Sequence, residues 1–227
     1  MQTLNNNSEY LNTILQNLKI PIVAQIEALK IFLSDYTNHL TQDEKDTIKL
    51  VLNSCNYTYN ILDEINILKK TLNEKIHPNY SRFNIANVIQ EILEDLNITL
   101  KYHNLNIIQN FPKELILNAD KTKIKKVINN LLSNIIKYAN QNSNITIYAK
   151  EIRNEFKFEI QYKSHNFSIE EIEKLFKEFD FNETSFELFI LNLDFYLSNE
   201  IIKTHFGKIN ITNKVDKECI LGFTLPI

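Results

Sequence analysis

The sequence predicts an α+β protein: an N-terminal helical hairpin followed by an α/β sandwich. Three observations lead there. Two long stretches near the N-terminus carry apolar residues at alternating steps of three and four, the spacing of helices that pack along a seam. The helical pattern then stops around His77-Pro78-Asn79, because proline disfavours helix at the residue before it. Beyond that point, helical segments are interleaved with short antiparallel strands, an order in which helices cover one face of a sheet.

The first seam, in residues 9–38, runs through Leu11, Leu15, Leu18, Ile22, Ile26, Leu29, Leu33 and Tyr36. Thr41-Gln-Asp-Glu44 reads as a capping box that opens a second helix. Its seam is Ile48, Val51, Leu52, Cys55, Tyr59, Leu62, Ile65, Leu68 and Leu72. Two such helices joined by a short turn make a hairpin. One hairpin leaves much of its seam in water, so pairing with a second copy into a four-helix bundle is expected. The alternative is that the seam packs on the chain's own C-terminal half. The domain boundary falls near residue 80, giving a hairpin domain over 1–79 and a sandwich domain over 80–227.

In the second domain an amphipathic helix is expected from Asn84 to about His103, and a strand near Leu105–Phe111. Asp120 then caps a helix reading DKTKIKKVINNLLSNIIKYA. Its apolar stripe, from Ile124 to Ile136, is wider than a surface helix needs. Asn130 and Asn134, one turn apart, share a face. Strands follow at about 144–151 and 156–162, joined by a turn at Arg153-Asn154-Glu155. Ser168-Ile-Glu-Glu171 is a second capping box, starting a helix that ends near Phe179. A last helix runs from about 188 to 205, with Gly207 expected in the left-handed closing position. Strands at 208–214 and 219–225 complete the sheet.

Bulk properties exclude several functions. A net charge of −3 gives no electrostatic case for nucleic acid. Two cysteines, Cys55 and Cys219, fit no metal spacing and read as reduced core thiols. No apolar run reaches bilayer length and no signal peptide is evident, so a cytoplasmic protein without its own sensor segment is expected. Only two glycines occur, Gly207 and Gly222. A glycine-rich phosphate loop therefore cannot be built anywhere. The abundance of Ile, Asn and Lys points to AT-rich coding, which makes most asparagines compositional.

From about residue 8 onward the chain resembles a sensor histidine kinase core. The hairpin is similar to the dimerisation and histidine-phosphotransfer domain, and the rest to the ATP-binding domain. The Asn130–Asn134 helix resembles the N-box, whose asparagines reach magnesium and phosphates. Leu175-Phe-Lys-Glu-Phe179 is similar to the family's IFExF. Ile201-Ile-Lys-Thr-His205-Phe-Gly207-Lys-Ile209 is similar to its IVxxHGGxI, and Phe223-Thr-Leu-Pro226 to its terminus.

The departures fall on the chemistry. Where the family has its phosphoacceptor pattern, this chain reads Gln16-Asn17-Leu18-Lys19-Ile20-Pro21. Gln16 stands at the histidine position, and an amide nitrogen is not a nucleophile at neutral pH. Asn17 replaces the activating acid, and Ile20 the polar residue used in dephosphorylation. His39 and His77 are too far from that position to substitute and read as solvated imidazoles. The adenine-binding DxGxG falls on Tyr162-Lys163-Ser164-His165-Asn166, so Tyr162 replaces the carboxylate. The glycine-rich GxGLGL falls on Ile190-Leu-Asn-Leu-Asp194-Phe195, where bulky side chains and a negative charge oppose phosphate. The lid of the family's site is thus expected to be shortened or absorbed into helix.

Asn130, Asn134 and Lys137 then have two readings. One is a residual magnesium and phosphate grip. The other, favoured by the lost carboxylate and glycines, is inheritance as partly exposed polar residues. No catalytic residue and no cofactor are expected, ATP and magnesium included. The resemblance implies a pseudokinase that binds a response-regulator receiver domain or a partner histidine kinase, with Gln16, Lys19, Ile20 and Val23 at the docking level. The alternatives are a phosphotransferase, or a kinase with residual ATP binding through the N-box.

Overall fold

The computed structural model describes residues 2–73, 77–164, 168–180, 182–214 and 218–227, with side chains from Leu15 onward in the first helix. The chain divides into two compact units, residues 1–73 and 74–227.

The first unit is two helices, α1 (Gln2–Asp35) and α2 (Gln42–Asn73), joined through a 3-10 turn at Thr37–His39. The capping box at the start of α2 is present in both directions. Thr41 N–H donates to Glu44 Oε2 at 2.8 Å, and Glu44 N–H donates to Thr41 Oγ1 at 3.3 Å. Pro21 lies inside α1 and removes one helical donor without ending the helix. Along the seam Leu15, Ile26, Leu62 and Leu68 are buried, while Leu18, Tyr36 and Val51 remain largely exposed. The expected seam positions Leu11 and Leu72 lie outside the described side chains.

The second unit is a five-stranded mixed sheet with helices on one face. It comprises β1 (Ser81–Asn84), α3 (Ile85–Asp95), α4 (Asn97–Tyr102), β2 (Asn106–Asn110), β3 (Ile116–Ala119), α5 (Lys121–Tyr138), β4 (Asn144–Ile152), β5 (Glu155–Lys163), α6 (Ile169–Lys177), α7 (Phe186–Thr204), β6 (Lys208–Lys214) and β7 (Glu218–Pro226). The strand order is β2-β4-β5-β7-β6, with β2 parallel to β4 and every other pair antiparallel. Period-two alternation turns Ile145, Ile147 and Ala149 of β4, and Phe156, Phe158, Ile160 and Tyr162 of β5, into the core. There they meet Ile85, Val88 and Ile92 of α3 and Ile124, Ile128, Leu131 and Ile135 of α5. The Arg153-Asn154 turn has positive φ at both residues, 49° and 64°. That is the form whose twist matches paired antiparallel strands.

Three expectations need correction. The single helix over Asn84–His103 is broken at Leu96 into α3 and α4. Asp95 and Asn97 flank the break, and both are residue types that favour caps and turns over helix interiors. The two-stranded pair of β1 with β3, Ser81 opposite Ala119, is additional to the predicted strands. The left-handed closing residue of α7 is Phe206, at φ 60°, and no glycine has positive φ. Gly207 N–H donates to Ile202 O at 3.0 Å and Phe206 N–H to Lys203 O at 3.0 Å, the two bonds of a Schellman close. Gly207 is required for space, since a Cβ there would collide with the Thr224 carbonyl and the Leu225 side chain.

Candidate functional site

Helix α5 is held at its start by a dense set of bonds. The Asp120 carboxylate accepts Lys123 N–H at 3.1 Å and Asn79 N–H at 2.9 Å, and pairs with Lys123 Nζ at 2.6 Å. Burial pushes this carboxyl upward, but the hydrogen bonds and the Lys123 charge outweigh it and hold it below the usual range. Asp120 N–H in turn donates to Nε2 of His205 at 3.1 Å, while Nδ1 of His205 lies 2.8 Å from Ile201 O. A bare Nε2 and a protonated Nδ1 satisfy both contacts, which assigns the neutral tautomer.

Two and a half turns into α5 the paired amides begin. Asn130 and Asn134 are only 6% and 9% exposed, so the expectation of partly exposed inherited residues is corrected: both belong to the interior. Asn134 Nδ2 donates to Asn130 O at 2.8 Å and to Asp194 Oδ2 of α7, also at 2.8 Å. The Nδ2 of Asn130 is buried without a hydrogen-bond partner among the described residues. Lys137, exposed one turn further on, pairs with Glu187 Oε1 at 3.0 Å, and its ammonium stays protonated more firmly than usual. Burial opposes that shift and the Glu187 contact overrides it.

Tyr162, on β5, is 6% exposed. Burial drives its hydroxyl well above the ordinary phenol range. Together with Asn134, Tyr138, Ser164, Leu191 and Phe195 it lines a cavity of about 20 Å³. That is space for about one water. Ser164 Oγ donates to Tyr138 O at 2.9 Å, tying the end of β5 to the end of α5. His165 and Asn166, the remainder of that motif, lie outside the described residues.

At the segment aligned with the family's glycine-rich motif, α7 is one unbroken helix, capped by Ser185, whose side chain accepts Leu188 N–H. It is clamped to α6 by two asparagines that sequence reasoning missed. Asn192 Nδ2 donates to Leu175 O at 3.0 Å and Glu178 O at 2.8 Å, and its Oδ1 accepts Asp180 N–H at 2.8 Å. Asn199 Nδ2 donates to Phe176 O at 2.9 Å, and Phe176 stacks on Phe195 with centroids 4.4 Å apart. The seven-residue spacing of Asn192 and Asn199 places them on one helix face, a signal hidden by treating asparagine as compositional.

The sequence-predicted site residues thus separate into groups. Asn134 and Tyr162 share the cavity wall. Asn130 and Lys137 sit one turn to either side of Asn134 on α5. The oxygen donors at hand for a metal are the amides and the Asp194 carboxylate. Asn134 is turned to hydrogen-bond Asp194, not to offer it a shared cation. On α1, Gln16, Ile20 and Val23 fall on one face; Gln16 is exposed, and Ile20 and Val23 are 69% and 42% exposed. Lys19 is engaged beside them, 2.7 Å from Asp63 and 5.2 Å above the Tyr59 ring.

Comparison with known proteins agrees with this fold. Residues 119–227 match the sequence family described as histidine kinase-, DNA gyrase B- and HSP90-like ATPase. The adaptive-response sensory kinase SasA of Synechocystis sp. is 28% identical over 170 residues, 74% of this chain and 44% of its own length. The sensor protein KdpD of Clostridium acetobutylicum is 26% identical over 145 residues, 63% of this chain. This chain therefore spans less than half the length of these curated relatives. Among solved structures, the Acinetobacter baumannii histidine kinase AdeS superposes over 90% of this chain and 94% of its own, with TM-score 0.64 and 17% identity. The histidine kinase ThkA, solved in complex with the response regulator TrrA, covers 98% of this chain and 63% of its own, with TM-score 0.61 and 22% identity. Among the described residues no helix is long and apolar enough to cross a membrane. Residues 119–227 match the histidine kinase-, DNA gyrase B- and HSP90-like ATPase family, and the chain as a whole has the fold of a sensor histidine kinase core.

Proposed function

We propose that this protein is a pseudokinase of two-component signalling, which docks a response-regulator receiver domain or a partner kinase and performs no phosphoryl chemistry itself. The reading is carried by two features of the region that resembles a nucleotide site: Asp194 bonds Asn134, and Tyr162 lines a one-water cavity. Gln16 supports it independently, since an amide at the phosphoacceptor position cannot take a phosphoryl group. Both halves of a kinase reaction lose their residues.

Docking is supported by the exposed face of α1. Ile20 and Val23 offer apolar area beside Gln16, with the Lys19–Asp63 pair at the rim. Exposed apolar anchors with a polar surround are the make-up of a binding patch. ThkA was solved with a response regulator bound. The same mode is proposed here for a receiver domain. Leu18, Val51 and Tyr36, seam residues left open in one chain, support burial against a second copy as a four-helix bundle.

Titration of the purified protein with receiver domains of the same genome, followed calorimetrically, tests the docking. Micromolar affinity that falls on Ile20→Asp is expected, and no binding to any receiver sinks it. A second reading, residual nucleotide binding, is favoured by the unpartnered amide of Asn130. Thermal melting with and without magnesium-ATP decides it, because a ligand that binds only the native state raises the midpoint.

A further inference from the structure

The helix that resembles an N-box meets a carboxylate of α7. Asn134 Nδ2 lies 2.8 Å from Asp194 Oδ2, a charge-assisted hydrogen bond between residues sixty positions apart. Three residues beyond Asn134, the ammonium of Lys137 meets a second carboxylate of the same helix, Glu187, at 3.0 Å. The two acids are seven residues apart on α7, hence on one face, and the two partners lie along one face of α5. The Glu187 pair is half in solvent and contributes little by itself. The Asn134 bond is the sheltered one, with the asparagine 9% exposed.

We infer that Asp194 is a built-in ligand that positions α7 on α5 in place of a nucleotide's oxygens, fixing the ATPase-like domain in one conformation whether or not nucleotide is present. This deepens the pseudokinase reading and rests on it. An intramolecular carboxylate loses little freedom on binding and is always at hand, so a free anion has to displace a group that cannot diffuse away. Asp194 is a positioning residue: it acts through α7 and touches no substrate.

The test is a swap of the two groups, read by hydrogen–deuterium exchange along α7 in the full chain. Asn134→Asp alone sets two carboxylates against each other and also removes the bond to Asn130 O. Exchange across residues 186–197 is expected to rise by about tenfold or more while the β5 and β7 amides keep their protection. Asp194→Asn added to Asn134→Asp re-forms an amide–carboxylate bond with the roles reversed, and protection of α7 is expected to return to within about threefold of wild type. Failure of the double variant to recover protection, or no rise in the single one, overturns the inference. If Asn134→Asp unfolds the protein, Asp194→Ala replaces it as the single variant, with the same expected rise. Magnesium-ATP added to wild type separates the two levels. A raised melting point with unchanged exchange along α7 defeats the pseudokinase reading and leaves the positioning role standing. ATP-dependent slowing of exchange along α7 defeats the inference, since the built-in ligand would then leave α7 incompletely fixed.

Discussion

The imidazole of His205 accepts the backbone N–H of Asp120 at 3.1 Å, so the end of α7 supports the start of α5. Tyr80 packs against the same ring, with centroids 5.4 Å apart. The charged groups facing it are the Asp120 carboxylate and the Lys123 ammonium.

This contact makes stability depend on pH in two windows. Burial lowers the His205 value from its ordinary 6.5, although Ile201 O and Asp120 oppose the shift. Below about 6.5 the unfolded chain therefore takes up a proton that the native ring refuses, and stability falls as pH falls. Asp120, held below its ordinary 3.8, contributes stability that is full above that value and lost at still lower pH. Urea midpoints are expected to drop between pH 7.5 and 5.5, and His205→Gln to flatten that drop. An equal drop in the variant would assign it to other groups.

Tyr162→Ala is expected to destabilise by about 3 kcal/mol, the usual scale for deleting a buried aromatic, because the cavity beside it grows. Chemical denaturation measures the loss. A loss below about 1 kcal/mol would mean that the ring does not fill the space assigned to it.

Phe206→Gly is expected to stabilise. The residue holds φ at 60° and is 81% exposed, so the substitution relieves a left-handed backbone while giving up little packing. About 1 kcal/mol is the expected gain, seen as a higher urea midpoint with unchanged slope. A lower midpoint would show that the aromatic ring makes up for its backbone strain.

Gln16→His supplies an imidazole where the phosphoacceptor stands in the kinases that this chain resembles. No phosphorylation from magnesium-ATP is expected even so, because on the proposed reading Tyr162 and Asp194 take up the nucleotide region. Incorporation of radiolabel above background would show that the region still admits ATP.

The sequence makes some of this legible and hides the rest for definite reasons. The frame of α5 can be read because Asp120 caps it and the apolar stripe from Ile124 to Ile136 repeats with helical period. The capping boxes at Thr41 and Ser168 follow from spacing alone, and both are formed. The pairing of β1 with β3 is not legible, because four residues with three polar side chains carry no period and Ser81, for one, pairs with Ala119, thirty-eight positions away. The burial of Asn130 and Asn134 is hidden for a related reason. An amide looks like surface until its acceptor is known, and Asp194 lies on a different helix. Gly207 misleads more simply: glycine marks both left-handed turns and tight approach, and only the fold around it decides which of the two is at work.

Gly222 extends that last point. A Cβ there would collide with the Phe158 carbonyl on the neighbouring strand, just as one at Gly207 would collide with Thr224. The chain has glycine at two places, and at both the neighbour is its own sheet. At both positions the room a side chain would need is taken by a neighbouring backbone, so the two glycines mark where backbones pass each other, an imprint of assembly and not of a ligand.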